Sequence, residues 1–211
     1  MYVCVCVLRV CVGESYVKQR IMNWEVGIAH EAVSRETAQD VLAFLQALPE
    51  SAWGPVNERS KGYTRLRYGK NLYGNSPRGY SPHLPELLRQ LGREAAEAVR
   101  AAVPDATDWE TLDFDTLVVN RYDSEKGVAP HKDPPRWRPI VVGVTLRTDA
   151  FGVRSRMRFH ADTGEKCEIV TPHRSVYYFY KSGYTDAKHE RRPSPKAQKD
   201  TVYSLTFRMS V

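Results

Sequence analysis

The segment Asn120-Arg-Tyr-Asp-Ser-Glu-Lys-Gly-Val-Ala-Pro-His131-Lys-Asp133-Pro-Pro concentrates the residue types best suited to chemistry. In an extended strand, side chains two apart project from one face, so His131 and Asp133 can hold one metal ion together. Pro134 and Pro135 end such a strand and place the pair at a sheet edge or mouth. A third ligand has to come from elsewhere, and His189, in Asp186-Ala-Lys-His189-Glu, is the candidate. Two imidazoles and one carboxylate on one side of a metal leave the opposite positions open, the facial arrangement of non-haem iron(II) sites. A lone His-x-Asp is common, and the surroundings give this one weight. Asn120 and Tyr122 share a strand face upstream, and the terminal run Val202-Tyr-Ser-Leu-Thr-Phe-Arg208 brings a guanidinium suited to bidentate capture of a carboxylate. His30, His83, His160 and His173 fall at predicted helix starts, strand ends or turns and are read as structural.

These residues need elements to position them. Ser34 caps a predicted helix running to Leu48, with Ala38, Val41, Leu42, Leu45 and Leu48 at helical spacing. A second helix spans 84–103, with Pro85 in its first turn and Pro104 just past its end. Between them, 62–80 is rich in Gly and Pro and reads as hairpins and loops. After Pro104 short β-rich runs follow at 116–122, 140–147, 157–161, 168–171, 176–181 and 201–209, with turn-formers between. The basic stretch 191–199 reads as a loop between the last two strands. Two helices followed by many short strands predict an α+β domain, a sandwich or barrel with the helices backing one sheet.

The chain has 211 residues, 42% of them hydrophobic, enough for one domain with a real core. No run approaches the ~18 apolar residues of a membrane span. Residues 1–23 begin with alternating Val, Cys and Leu, read as an added strand or an extension outside the domain, which occupies 24–211. Cys4, Cys6 and Cys11 crowd one end and Cys167 stands alone, so neither a disulfide framework nor a zinc site is expected. Reduced thiols suit a cytoplasmic or nuclear protein. Net charge is +6 and the pI about 9.1. Between Arg59 and Tyr80 six basic residues and no acidic ones are interleaved with Tyr63, Tyr68, Tyr73 and Tyr80. Cations neutralise phosphates and aromatic faces stack on unpaired bases, so Arg65, Arg67, Tyr68, Lys70 and Tyr73 are the candidate contacts for a single-stranded or locally opened nucleic acid.

The ordered set Asn120-x-Tyr122, His131-x-Asp133, a histidine after Val176-Tyr-Tyr-Phe179, and Ser204-Leu-Thr-Phe-Arg208 resembles the AlkB family of nucleic-acid demethylases. Arg67-Tyr-Gly-Lys-Asn-Leu-Tyr-Gly followed by Leu84-Pro-Glu-Leu-Leu extends the resemblance over roughly residues 24–210. It implies a double-stranded β-helix, or jelly roll, with the two N-terminal helices packed on the sheet. It implies iron(II) held by His131, Asp133 and His189, 2-oxoglutarate held by Asn120, Tyr122 and Arg208, and O2 as the oxidant. Two positions depart from the family. Its second arginine, six residues before Arg208, is Val202 here, so Arg174, Arg191 or Arg192 must supply that cation, or affinity is weak, or turnover is lost. An acidic residue that some members carry two places after the aspartate is Pro135 here.

The reading is therefore a monomeric, membrane-free, 2-oxoglutarate-dependent iron(II) dioxygenase that demethylates N-alkylated bases. Its rivals are a protein side-chain hydroxylase or demethylase of the same chemistry, and a nucleic-acid-binding jelly roll that has lost turnover.

Overall fold

The computed structural model describes residues 16–17, 25–55, 63–70, 79–104, 112–123, 127–149, 155–192 and 200–211. In chain order the strands are β1 (Tyr16–Val17), β2 (Glu25–Ala29), β3 (Gly54–Pro55), β4 (Tyr63–Gly69), β5 (Tyr80–Ser81), β6 (Thr116–Tyr122) and β7 (Val128–His131). They continue with β8 (Ile140–Arg147), β9 (Ser155–Ala161), β10 (Lys166–Thr171), β11 (Ser175–Tyr180), β12 (Ala187–Arg192) and β13 (Val202–Arg208). The helices are α1 (Arg35–Ala47), α2 (Glu86–Ala102) and the short α3 (Ser182–Thr185). None is long and apolar enough to cross a membrane.

Two sheets form. The larger runs β1-β2-β11-β8-β13-β6-β4-β3, with β5 beside β4, and the smaller runs β10-β9-β12-β7. Apart from the parallel pair β4–β5, neighbours are antiparallel. Strand parity sorts the side chains into two layers. On one face of the large sheet, Leu66 and Tyr68 of β4, Leu117 and Val119 of β6, Val142 and Val144 of β8, and Leu205 and Phe207 of β13 join the core under α1 and α2. Their alternates face the small sheet, where Val141, Tyr177 and Phe179 meet Met157, Phe159 and Ile169. Every residue of β8, β11 and β13 is buried, as strands covered on both faces must be. This is the jelly-roll arrangement, two antiparallel sheets face to face.

The helix layer is tied together by polar contacts as well as by its apolar faces. Ser34 Oγ accepts the Thr37 amide at 3.1 Å and caps α1 as predicted. Glu94 of α2 then accepts from the Ser34 amide at 2.9 Å and from Thr37 Oγ1 at 2.5 Å. Leu88, Leu91, Ala95 and Val99 form the buried stripe of α2.

Part of the stretch read as hairpins and loops is strand, and so is the start of the stretch read as a loop at 191–199. Residues 63–69 form β4, and Arg191 and Arg192 close β12. Both strands turn polar side chains inward, so they lack the aliphatic alternation that marks a strand in sequence. Tyr16–Val17 pairs with Ala29 and Ile28 as an edge strand. Residues 1–15 with their three cysteines, and 193–199, lie outside the described residues.

Candidate active site

His131 and His189 face each other directly across the antiparallel pair β7–β12. Their rings stand 4.3 Å apart, centroid to centroid. Pro130 cannot donate to the ladder, and β7 slips by one residue against β12 there, the irregularity that aims the strand's end into the interior. Asp133 follows two residues beyond His131. One ligand atom from each of His131, Asp133 and His189 lies within 4.8 Å of the others. The spaced pair His131 and Asp133 and the candidate third ligand His189 are thus together, and they are the facial set.

Their surroundings suit metal binding. His131 Nδ1 donates to the Ala129 carbonyl at 2.9 Å, since a carbonyl can only accept, and this leaves Nε2 for a metal. His189 is buried against Phe179, at 4.8 Å between ring centroids, and burial pushes its pKa down to about 3, so the imidazole is neutral and ready to ligate. Burial pushes Asp133 up, but the charge of Arg208 beside it outweighs this and holds the carboxyl below its ordinary value. Arg208 Nη1 stands 2.7 Å from Asp133 Oδ2 as an ion pair, without the alignment of a hydrogen bond. The Asp133 side chain is only 5% exposed.

A cavity of about 760 Å³ opens over this triad between the sheets. Asn120 and Tyr122 of β6, Arg208 of β13, and Arg65 and Arg67 of β4 all line it. Arg65 Nε donates to Asn120 Oδ1 at 2.7 Å and its Nη2 to the Tyr63 hydroxyl at 2.9 Å. That contact fixes the Asn120 amide with its oxygen toward Arg65. Of the remaining three residues named for substrate, Tyr68 and Lys70 do not line the cavity. Tyr68 has the opposite parity from Arg65 and Arg67 and is buried in the helix-side core. Lys70 leaves the end of β4 and donates to Ser210 Oγ at 2.9 Å. Tyr73 lies outside the described residues.

Tyr63, Met157, Tyr177 and Ser204 are among the cavity residues that sequence reasoning did not single out as site residues. The Tyr177 hydroxyl and Ser204 Oγ share a hydrogen bond of 3.0 Å. Arg191, one of three alternatives on sequence, also reaches the cavity. Burial holds its pKa below the usual arginine value.

Comparison with solved structures follows the same lines. OsALKBH1 superposes with a TM-score of 0.69 over 87% of this chain and 97% of its own, at 18% identity. A Pseudomonas putida prolyl-4-hydroxylase superposes with a TM-score of 0.61 over 91% of this chain and 96% of its own, at 12% identity. The chain shares their fold. No family model and no curated protein matches its sequence.

Proposed function

We propose that the protein is an iron(II) dioxygenase that consumes 2-oxoglutarate and removes N-alkyl groups from bases in nucleic acid. The observation that carries this is the His131–Asp133–His189 cluster at a cavity whose wall presents Arg65 and Arg67. The donor set fits iron(II): two imidazoles and an ionised carboxylate, with protein on one side and the cavity on the other. Bound there, iron with 2-oxoglutarate and O2 would supply the oxidant for hydroxylating an N-methyl carbon, giving succinate, CO2 and, as the product collapses, formaldehyde and the bare amine.

The chain's own residues do the rest. His131, Asp133 and His189 hold the metal, with Ala129 and Arg208 orienting the first two. Asn120, held by Arg65, presents its amide nitrogen to the cavity for the cosubstrate. Phe159 and Phe179 keep water from the His189 side. Arg67 faces the cavity and is placed to meet a phosphate near the target base.

The test is anaerobic loading with iron, followed by succinate and formaldehyde assays on methylated oligonucleotides and on peptides. Formaldehyde from oligonucleotides alone supports the proposal. Succinate with peptides alone assigns the same chemistry to a protein side chain, and succinate with neither substrate leaves the nucleic-acid reading without support. Oligonucleotide binding should also weaken in Arg67→Ala, with the slope of log affinity against log salt falling by about one, and stay unchanged in Lys70→Ala. Equal effects of the two replacements would count against a cavity route.

A further inference from the structure

Among the described residues three guanidinium groups are buried, and carboxylates face two of them. Asp133 faces Arg208. Asp200 takes Arg147 in a buried ion pair, Arg147 Nε donating to Oδ2 at 2.8 Å. Arg191 is the third buried guanidinium, 4% exposed, and neither Nη1 nor Nη2 has a hydrogen-bond partner among the described residues. Its guanidinium carbon lies 5.0 Å from the centre of the Tyr122 ring, and it lines the cavity with Tyr177 and Ser204. A buried guanidinium with both ends unpaired is costly unless an anion arrives.

Strand geometry says which anion. His189 and Arg191 are two apart on β12 and both are buried, while Lys188 and Arg192 on either side are exposed. Side chains so spaced stand ~6.7 Å apart along the strand. That is about the reach of a five-carbon dicarboxylate anchored at one end beside His189. The other sequence alternatives are occupied elsewhere. Arg174 donates from Nε to the Val33 carbonyl at 2.8 Å and from Nη2 to that of Glu31 at 3.3 Å, on the helix side. Arg192 points to solvent, and Val202 packs with Tyr63 and Tyr122.

We infer that Arg191 receives the free carboxylate of the dicarboxylate cosubstrate, so that one strand supplies both a metal ligand and the cosubstrate's anchor. This rests on the reading of the site as a 2-oxoglutarate oxygenase. The place held in the resembling family by an arginine on the last strand is filled here from β12, and Val202 packs where that side chain would have been. A planar guanidinium with two free nitrogens matches a carboxylate in bidentate fashion.

The experiment is calorimetric titration of the manganese-loaded protein without oxygen, using 2-oxoglutarate and 2-oxopentanoate, which has the same chain without the far carboxylate. The wild type should prefer 2-oxoglutarate. In Arg191→Met affinity for 2-oxoglutarate should fall roughly tenfold to a hundredfold, that for 2-oxopentanoate should hold or improve, and Arg191→Lys should recover part of the preference. The metal-free Arg191→Met protein should melt no lower than wild type, because the replacement removes an unbalanced buried charge. Unchanged 2-oxoglutarate affinity in Arg191→Met, equal loss of both ligands, or a protein that melts lower or fails to fold overturns the assignment. If the wild type takes up manganese but binds neither keto acid, the oxygenase reading itself fails and takes the assignment with it. If the wild type binds 2-oxoglutarate and Arg191→Met binds it equally, only the assignment fails.

Discussion

Asp133 has to face a metal while it already faces Arg208, and the two side chains are 5% and 10% exposed. In the jelly-roll interior this pair keeps the carboxylate ionised and leaves one oxygen directed to the triad. Asp133→Ala should therefore do more than abolish metal-dependent turnover. It strands a buried guanidinium, a loss on the order of 3 kcal/mol for the metal-free fold. The double replacement Asp133→Ala with Arg208→Met should recover much of that stability and none of the turnover. Urea unfolding of the two singles and the double gives the coupling directly, and additive losses would mean that the pair contributes nothing. Val202→Arg follows from the same charge balance. Val202 is 3% exposed against Tyr63 and Tyr122, and Arg191 is already beside Tyr122. A guanidinium there meets both a full volume and a like charge, so 2-oxoglutarate affinity should fall; a rise would show that the anchor place is still open.

Strand β11 shows how one element serves both layers. Tyr177 turns to the cavity and Tyr178 to the helices, and each ring lies over a glycine of a neighbouring strand, Gly143 of β8 and Gly27 of β2. A Cβ at either glycine would fall inside the ring above it, which is why no larger residue fits. Gly143→Ala and Gly27→Ala should each lose ~1–3 kcal/mol in urea unfolding. Only Gly143→Ala should also weaken 2-oxo acid binding, since Tyr177 and its partner Ser204 line the cavity. Equal effects on binding would mean the two faces are not separable. The same parity explains what could be read in advance. Runs such as 116–122 and 140–147 were visible because at least one face is aliphatic. Strand β12 was not, and β4 only as part of a stretch of hairpins and loops, because arginine, tyrosine and histidine face the cavity and break the aliphatic pattern. The metal ligands were legible because His-x-Asp puts two ligands within one strand end. Tyr68 was misplaced because interleaving with cations suggested a stacking surface, whereas a spacing of three from Arg65 puts it on the opposite face.

At the scale of the whole molecule the large sheet is a partition. One side carries the helix layer and supplies apolar burial; the other carries the triad and the cavity. The helix-side cluster is the larger, so global stability should depend on it more than on the site. Metal binding, by contrast, draws on groups held between the sheets, where His189 is pinned by Phe179 at 4.8 Å. Any ligand that binds only the folded state adds stability, ~2.7 kcal/mol at a hundredfold excess over its dissociation constant. For a chain of this length that raises the melting midpoint by roughly 5–10 °C. Leu91→Ala, in the α2 stripe with 0% exposure, should remove ~2–5 kcal/mol yet show the same manganese-induced stabilisation as wild type. Phe179→Leu removes less volume, but it frees the His189 ring and should shrink that stabilisation. Thermal melts of the two variants with and without manganese separate the layers. If Leu91→Ala loses the metal increment and Phe179→Leu keeps it, the helix layer would be setting the site's geometry and the sheet would not be a partition.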